Sequence, residues 1–230
     1  MPRGRVPGLF VTGTDTEVGK TYVAALLVRQ LAEAGCRVGV YKPAASGCLR
    51  VGRELISPDA KRLWEAAGRP GSLDRVCPQR FAAPLAPHLA AQQEGRHLDG
   101  ALLRRGLEYW QERSELIVVE GAGGLMSPLG DDEYVADLAG DFGFPLVVVA
   151  RNALGAINQT LQTLIAAAAY GDGLPVAGVV LNNPKPPGDD TSVRFNRQEL
   201  AARSVPPLLA EVAFGAGRFD RPVDWRAVAR

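Results

Sequence analysis

The chain is 230 residues long, with 47% hydrophobic and 22% charged residues, which excludes a disordered chain and supplies a sizeable core. Its 26 basic and 25 acidic residues leave a net charge of +1, a balance that argues against a surface built for nucleic acid or anionic membrane. No apolar run approaches the roughly 18 residues that span a bilayer, and Met1-Pro2-Arg3-Gly4-Arg5 is expected to lead into the first strand without a secretory segment.

The first predicted strand is Leu9–Thr12. It runs into Gly13-Thr14-Asp15-Thr16-Glu17-Val18-Gly19-Lys20-Thr21, and a helical pattern follows over Lys20–Ala34, stopped by Gly35. A glycine-bearing loop between strand and helix has a physical task. Its backbone N–H groups and the helix dipole hold phosphate oxygens. Lys20 would reach the β- and γ-phosphates, and the Thr21 hydroxyl would ligate Mg²⁺. The strict loop has glycine six positions before the lysine. Here Thr14 stands there and Gly13 precedes it, so the loop is expanded. The bland alternative is an ordinary strand-to-helix turn.

The second strand is Val38–Tyr41, followed by Lys42-Pro43-Ala44-Ala45-Ser46-Gly47. Only four of the 26 basic residues are lysines: Lys20, Lys42, Lys61 and Lys185. A position that keeps Lys in an Arg-rich chain asks for a compact point charge. Pro43 holds Lys42 extended, so its ammonium projects at the carboxyl edge of the sheet, where it can offset charge developing on a γ-phosphate. Ser46 can donate to a substrate. On local sequence alone Lys42 also fits a solvated surface lysine. Ser57-Pro58 opens a helix over Pro58–Ala67. Asp59, in its first turn, fits compensation of the helix dipole.

A helix is predicted over Asp99–Glu112, then a strand over Leu116–Glu120 that ends in Gly121-Ala122-Gly123-Gly124. An acidic residue at the carboxyl end of a buried parallel strand sits where such sheets bind ligands. Glu120 can hold Mg²⁺ there, and the glycines let backbone approach phosphate. A glycine-rich turn with an exposed Glu is the alternative. Leu146–Ala150 and Val176–Leu181 are strands, Ile157–Tyr170 and Thr191–Arg203 are helices, and Asn182–Asp190 is a loop. The segment after Gly215 shows no pattern. The strands are continuous apolar runs that alternate with helices, which predicts a mostly parallel sheet with helices on both faces, within one domain spanning 1–230. Cys36, Cys48 and Cys77 match no metal spacing and fit free thiols in a reducing cytoplasm.

The stretches Val11–Thr21, Gly39–Gly47, Ala86–Arg96, Val118–Leu129, Leu154–Asn158 and Ala177–Asn183 together resemble the dethiobiotin synthetase family, in order and spacing. That resemblance implies a P-loop NTPase-like, three-layer α/β/α fold and a cytoplasmic homodimer. It implies an enzyme using ATP, Mg²⁺ and CO₂ to close a ureido ring on 7,8-diaminononanoate. One amine captures CO₂ as a carbamate, whose oxygen attacks the γ-phosphate. The second amine then displaces phosphate from the carbamic–phosphoric anhydride.

By position the resemblance makes Lys20 and Lys42 the catalytic cations. It makes Thr21, Asp59 and Glu120 the metal ligands. It lays Glu17, Val18, Gly19, Lys20, Thr21 and Tyr22 along ATP, with Asp59, Glu120, Gly121, Ala122 and Gly123. Asn182 and Asn183 would meet the base, and Ser46 the diamine. Gly155, Ala156, Ile157 and Asn158, on the partner subunit, would receive the substrate carboxylate at a helix start. Relatives carry Ile-Pro where Val212-Ala213-Phe214 stands here, so no base contact is carried over to that segment. Pro87 and His88 match the family but receive no chemistry.

A nucleotide-switch ATPase of the partition or cell-division type is the rival. That group has a lysine early in its loop where this chain has Asp15, and no basic face or amphipathic tail is evident. An amidation enzyme is the second rival, and 230 residues leave no room for its glutamine-hydrolysing part.

Overall fold

The computed structural model describes residues 5–186 and 188–230. Met1–Gly4 of the expected lead-in, and Pro187 within the Asn182–Asp190 loop, lie outside the described residues. Strand β1 (Gly8–Gly13) is followed by helix α1 (Lys20–Glu33) and strand β2 (Val38–Tyr41). Two short strands, β3 (Ala44–Ala45) and β6 (Gln79–Arg80), pair in parallel, and β4 (Leu49–Val51) forms a hairpin with β5 (Glu54–Ile56). Between β5 and β6 lie α2 (Pro58–Ala66) and α3 (Leu73–Val76). Helices α4 (Pro87–Gln93), α5 (Gly100–Arg105) and α6 (Glu108–Gln111) lead to β7 (Leu116–Glu120). The chain ends with α7 (Val135–Phe142), β8 (Leu146–Arg151), α8 (Ala156–Ala169), β9 (Val176–Asn182), α9 (Val193–Arg203), β10 (Leu208–Val212) and α10 (Trp225–Val228).

The main sheet has six strands in the order β10-β9-β8-β1-β7-β2, all parallel. Its central strands are fully buried: Leu9, Phe10, Val11, Val118, Val147, Val148 and Val149 show no exposure. Helices on both faces explain why these strands are unbroken apolar runs rather than alternating ones. Each such side chain contributes about 1.5–3 kcal/mol on burial.

Five strands and the long helices lie where the sequence predicts them. The expected Asp99–Glu112 helix is two helices, parted at Gly106 and Leu107, where the Leu107 N–H bonds the Arg104 carbonyl at 3.1 Å instead of the next carbonyl back. A Cβ at Gly106 would collide with the Tyr41 hydroxyl, and that hydroxyl donates to the Leu103 carbonyl at 2.8 Å. Several elements are not among the predicted ones, β10 and α7 among them. β10 completes the sheet, although Pro206 and Pro207 precede it and its outer residues are half-buried. α7 starts after a polar loop, where Asp137 accepts from the Tyr134 N–H at 2.7 Å. The patternless segment after Gly215 contains α10, whose Trp225 is 2% exposed and donates to Gln30 of α1 at 2.9 Å.

Strand order explains the position of the site. After β1 the chain moves to β2, leaving the place between them for β7, and later returns on the other flank of β1 as β8. The carboxyl end of β1 is therefore a switch point, the place where open parallel sheets bind ligands.

Candidate active site

The register of the sheet assembles the centre. β2 pairs with β7 so that Tyr41 lies opposite Val119, and β1 pairs with β7 so that Val11 lies opposite Glu120. The next residue after Tyr41 is Lys42, which thereby meets Glu120. The loop leaving β1 closes over the same end.

The turn into α1 depends on backbone conformation. Gly19 caps the helix with φ +93°, and a Cβ there would collide with the amide of Asn182. Glu17 is also left-handed, with φ +57°, an uncommon state for a side-chain-bearing residue. Val18 is buried and anchors the loop, while Asn182 donates to the Val18 carbonyl at 2.8 Å. Lys20 folds back onto the loop and donates to the Asp15 carbonyl at 2.9 Å.

Two side chains meet on Glu120, which is 1% exposed, and a third joins them through Lys42. Thr21 donates its hydroxyl to Glu120 Oε1 at 2.7 Å. Lys42, 3% exposed, places Nζ 2.8 Å from the same oxygen and 3.3 Å from Asp59 Oδ2. Lys42 is therefore not a solvated surface lysine, nor does Glu120 sit on an exposed turn. Asp59 retains its place in the first turn of α2, with the Ser57 hydroxyl accepting from the Ala60 N–H at 3.2 Å. Its carboxylate faces Lys42 rather than acting on the helix alone.

The charges set the protonation states. Burial pushes the Lys42 ammonium down, but the Glu120 and Asp59 carboxylates outweigh it, and the net direction is up. Lys20 goes the other way: burial lowers it, and the attraction of Glu120 offsets only part of that. Added phosphate charge would draw Lys20 back up.

Glu120, Thr21 and Asp59 are the residues that could hold a metal ion. Glu120 Oε2 is buried and has no hydrogen-bond partner among the described residues, an arrangement that is costly unless a cation or water takes it. With the Thr21 hydroxyl and the half-exposed Asp59 carboxylate, this oxygen forms a hard-oxygen set. Among the described residues no group of three His, Cys, Asp or Glu makes a metal site by itself. A Mg²⁺ ion takes few protein ligands and completes its shell with phosphates and water.

The site opens into a cleft of about 690 Å³ lined by Glu17, Gly19, Lys20, Thr21, Lys42 and Asp59, with Tyr22, Ser46, Glu120, Ala122 and Gly123 around it. A smaller cavity of about 240 Å³ adjoins it at Gly19 and Tyr22 and is walled by Asn182, Asn183, Pro184, Phe214 and Gly215. Asn183 donates to Glu211 and to the Val212 carbonyl, both at 2.9 Å. Gly121 borders the centre through its carbonyl, 3.4 Å from Lys42 Nζ. His88 of α4 donates from Nδ1 to the Pro128 carbonyl at 3.1 Å and so ties α4 to the loop after β7. Gly155, Ala156, Ile157 and Asn158 begin α8, and none of them lines the cleft. The cleft also contains Thr16, Arg62 and Ser127. Arg62 had a detectable signal, since it lies three residues after Asp59 on one helix face.

A phosphate loop at a switch point, two buried ammonium groups and a carboxylate cluster define a P-loop nucleotide-binding α/β protein. A family model described as an AAA domain matches residues 7–215. The chain is 43% identical over 219 residues to the ATP-dependent dethiobiotin synthetase BioD of Rhodopirellula baltica, covering 90% of this chain and 84% of the relative. It is 48% identical over 194 residues to the enzyme of the same name from Anaeromyxobacter dehalogenans, covering 84% of each. With the one from Bacillus thuringiensis it shares 39% identity over 217 residues, covering 93% and 86%. Among solved structures it is similar to chloroplast FtsY from Physcomitrella patens, at TM-score 0.52 and 16% identity, covering 99% of this chain and 65% of that one. That likeness shows the fold alone. The chain belongs to the ATP-dependent dethiobiotin synthetase family.

Proposed function

We infer that this chain is an ATP-dependent ligase that closes the ureido ring of dethiobiotin on 7,8-diaminononanoate, with CO₂ as the carbon source and ADP and phosphate as products. The observation that carries this is the convergence of Lys20 and Lys42 in one cleft with the phosphate loop, in a chain 43% identical to a named dethiobiotin synthetase. The switch-ATPase alternative has no such support, because the FtsY likeness extends only to the fold.

In this mechanism the loop amides from Glu17 to Tyr22 hold the triphosphate, and Lys20 and Lys42 neutralise charge that develops as the carbamate oxygen attacks the terminal phosphorus. Both act by position and charge, and no nucleophilic side chain is required. Ser46 orients the diamine. Ala122 and Gly123 bring backbone against the phosphates. Asn182 and Asn183 flank the base. The Asn182 amide donates one hydrogen to the Val18 carbonyl, which leaves Oδ1 and the second N–H to meet adenine. Thr21, Asp59 and Glu120 hold Mg²⁺, supported by the unpartnered Glu120 Oε2. When bound, the ion offsets negative charge on the phosphates.

The substrate carboxylate is read as binding at Gly155, Ala156, Ile157 and Asn158 of a second copy in a homodimer. Support comes from the start of a 14-residue helix that lies outside its own chain's cleft. Asp190 already accepts from the Leu154 N–H at 2.7 Å, so the amides beyond it are the ones left for a ligand. The whole chain acts as one unit in this reading, in the cytoplasm. None of the described helices is long and apolar enough to cross a membrane.

The test is direct. The purified chain is given the diamine, bicarbonate and Mg·ATP. The expected product is heavier than the diamine by one carbonyl and lighter by two hydrogens, with ADP and phosphate in equal amount. ATP turnover that ignores the diamine, with no such product, would overturn the assignment.

A further inference from the structure

We propose that the Arg62 guanidinium, stacked on Tyr22, holds the phosphates of ATP that lie between the ribose and the transferring group. This deepens the nucleotide site inferred above and rests on it. Arg62 Cζ lies 4.7 Å from the centroid of the Tyr22 ring. Tyr22 belongs to both cavities: the large cleft with Lys20 and Lys42, and the smaller one with Asn182 and Phe214. A nucleotide with its terminal phosphate at the two lysines and its base in the smaller cavity must cross Tyr22. Arg62 stands over that crossing.

Arg62 is also a cation whose neighbours are engaged elsewhere. It lies on α2 between two carboxylates of the same helix. Asp59 pairs with Lys42 at 3.3 Å, and Glu65 pairs with Arg69 at 3.6 Å. Among the described residues Arg62 makes no ion pair. Its platform is fixed, because the Tyr22 hydroxyl donates to the Ala216 carbonyl at 2.7 Å. A guanidinium held over an aromatic ring keeps N–H donors free of that contact, and those donors match phosphate oxygens. The contact falls on phosphates that do not transfer, so Arg62 is a binding residue and leaves the chemical step to Lys20 and Lys42.

The experiment measures ATP and ADP affinity by calorimetry, with steady-state rates, for the wild type, Arg62→Gln and Arg62→Lys. Arg62→Gln is expected to weaken ATP and ADP alike, by roughly tenfold. It should raise the KM for ATP in step and leave kcat near the wild-type value. Arg62→Lys is expected to recover part of the loss. Wild-type affinities in Arg62→Gln would overturn the proposal. So would a loss confined to ATP, which would move the guanidinium to the transferring phosphate, or a lowered Tm with affinity intact. If the wild type binds ATP but forms no dethiobiotin, the ligase assignment fails alone, and the affinities of the variants still decide the role of Arg62.

Discussion

Lys42 and Glu120 form a buried ion pair at the ends of neighbouring parallel strands, Nζ to Oε1 2.8 Å. The pair is local to the sheet register, yet the residues are 78 positions apart in sequence. Removing one partner of a buried pair leaves an uncompensated charge and costs about 3–5 kcal/mol. Lys42→Gln should therefore lower both stability and turnover. The rate is expected to fall by roughly two to four powers of ten, while ATP affinity changes little. Stability should recover on adding Mg·ADP, because the proposed metal site would put a cation beside Glu120 in place of the lost ammonium. Rapid-quench turnover and melting curves with and without Mg·ADP check both parts; an unaltered rate would remove Lys42 from the chemistry.

Asp59 is the exposed member of the cluster, with its side chain 49% accessible. Asp59→Asn keeps the hydrogen-bonding shape of the first turn of α2 but loses the charge. The expected outcome is a higher Mg²⁺ concentration for half-maximal rate, with a loss of stability under about 1 kcal/mol. A magnesium titration of the rate decides it. A lowered melting temperature with an unchanged magnesium requirement would restore the simple helix-dipole role.

Gly19 carries φ +93° and touches the Asn182 amide. Gly19→Ala meets two penalties at once, a left-handed backbone and a collision with a buried side chain. A loss of roughly 2 kcal/mol or more is expected, together with loss of ATP binding. Urea unfolding and nucleotide titration report the two effects. Full ATP affinity in the variant would show that the loop tolerates a different path.

Burial pushes the Cys77 thiol up to about 12 from an ordinary value of 9.0. The folded chain thus keeps its proton where the unfolded chain loses it. The stabilisation is fully present below pH 9 and is lost as pH rises toward 12, at up to about 1.4 kcal/mol per pH unit. The stability advantage of wild type over Cys77→Ala should shrink between pH 9 and 11. Denaturant unfolding across that range would show a constant difference if the thiol titrates normally.

Trp225 joins the C-terminal segment to α1 through Gln30 and packs on Phe219 at 5.2 Å between ring centroids. Trp225→Ala is expected to cost about 3–5 kcal/mol, although the residue is remote from the cleft. Chemical denaturation measures this, and an unchanged midpoint would mean that the segment is not part of the core.

The sequence determined what local chain chemistry can specify. Unbroken runs such as Leu146–Ala150 required burial on both faces and hence a parallel sheet. Gly19-Lys20-Thr21 between strand and helix pointed to a phosphate-binding turn, because backbone N–H groups and a lysine at a helix start suit an anion. The tertiary structure decided what depends on strand order. Insertion of β7 between β1 and β2 set Lys42 against Glu120 and drew Asp59 in from α2. On local sequence Lys42 and Asp59 fitted a surface lysine and a helix-dipole acid as well. The same packing placed Arg62 over Tyr22, gave β10 its edge, and buried Trp225 from a segment without periodicity. Such partners come together through contacts between distant segments, and no stretch of a few residues carries the information that selects them.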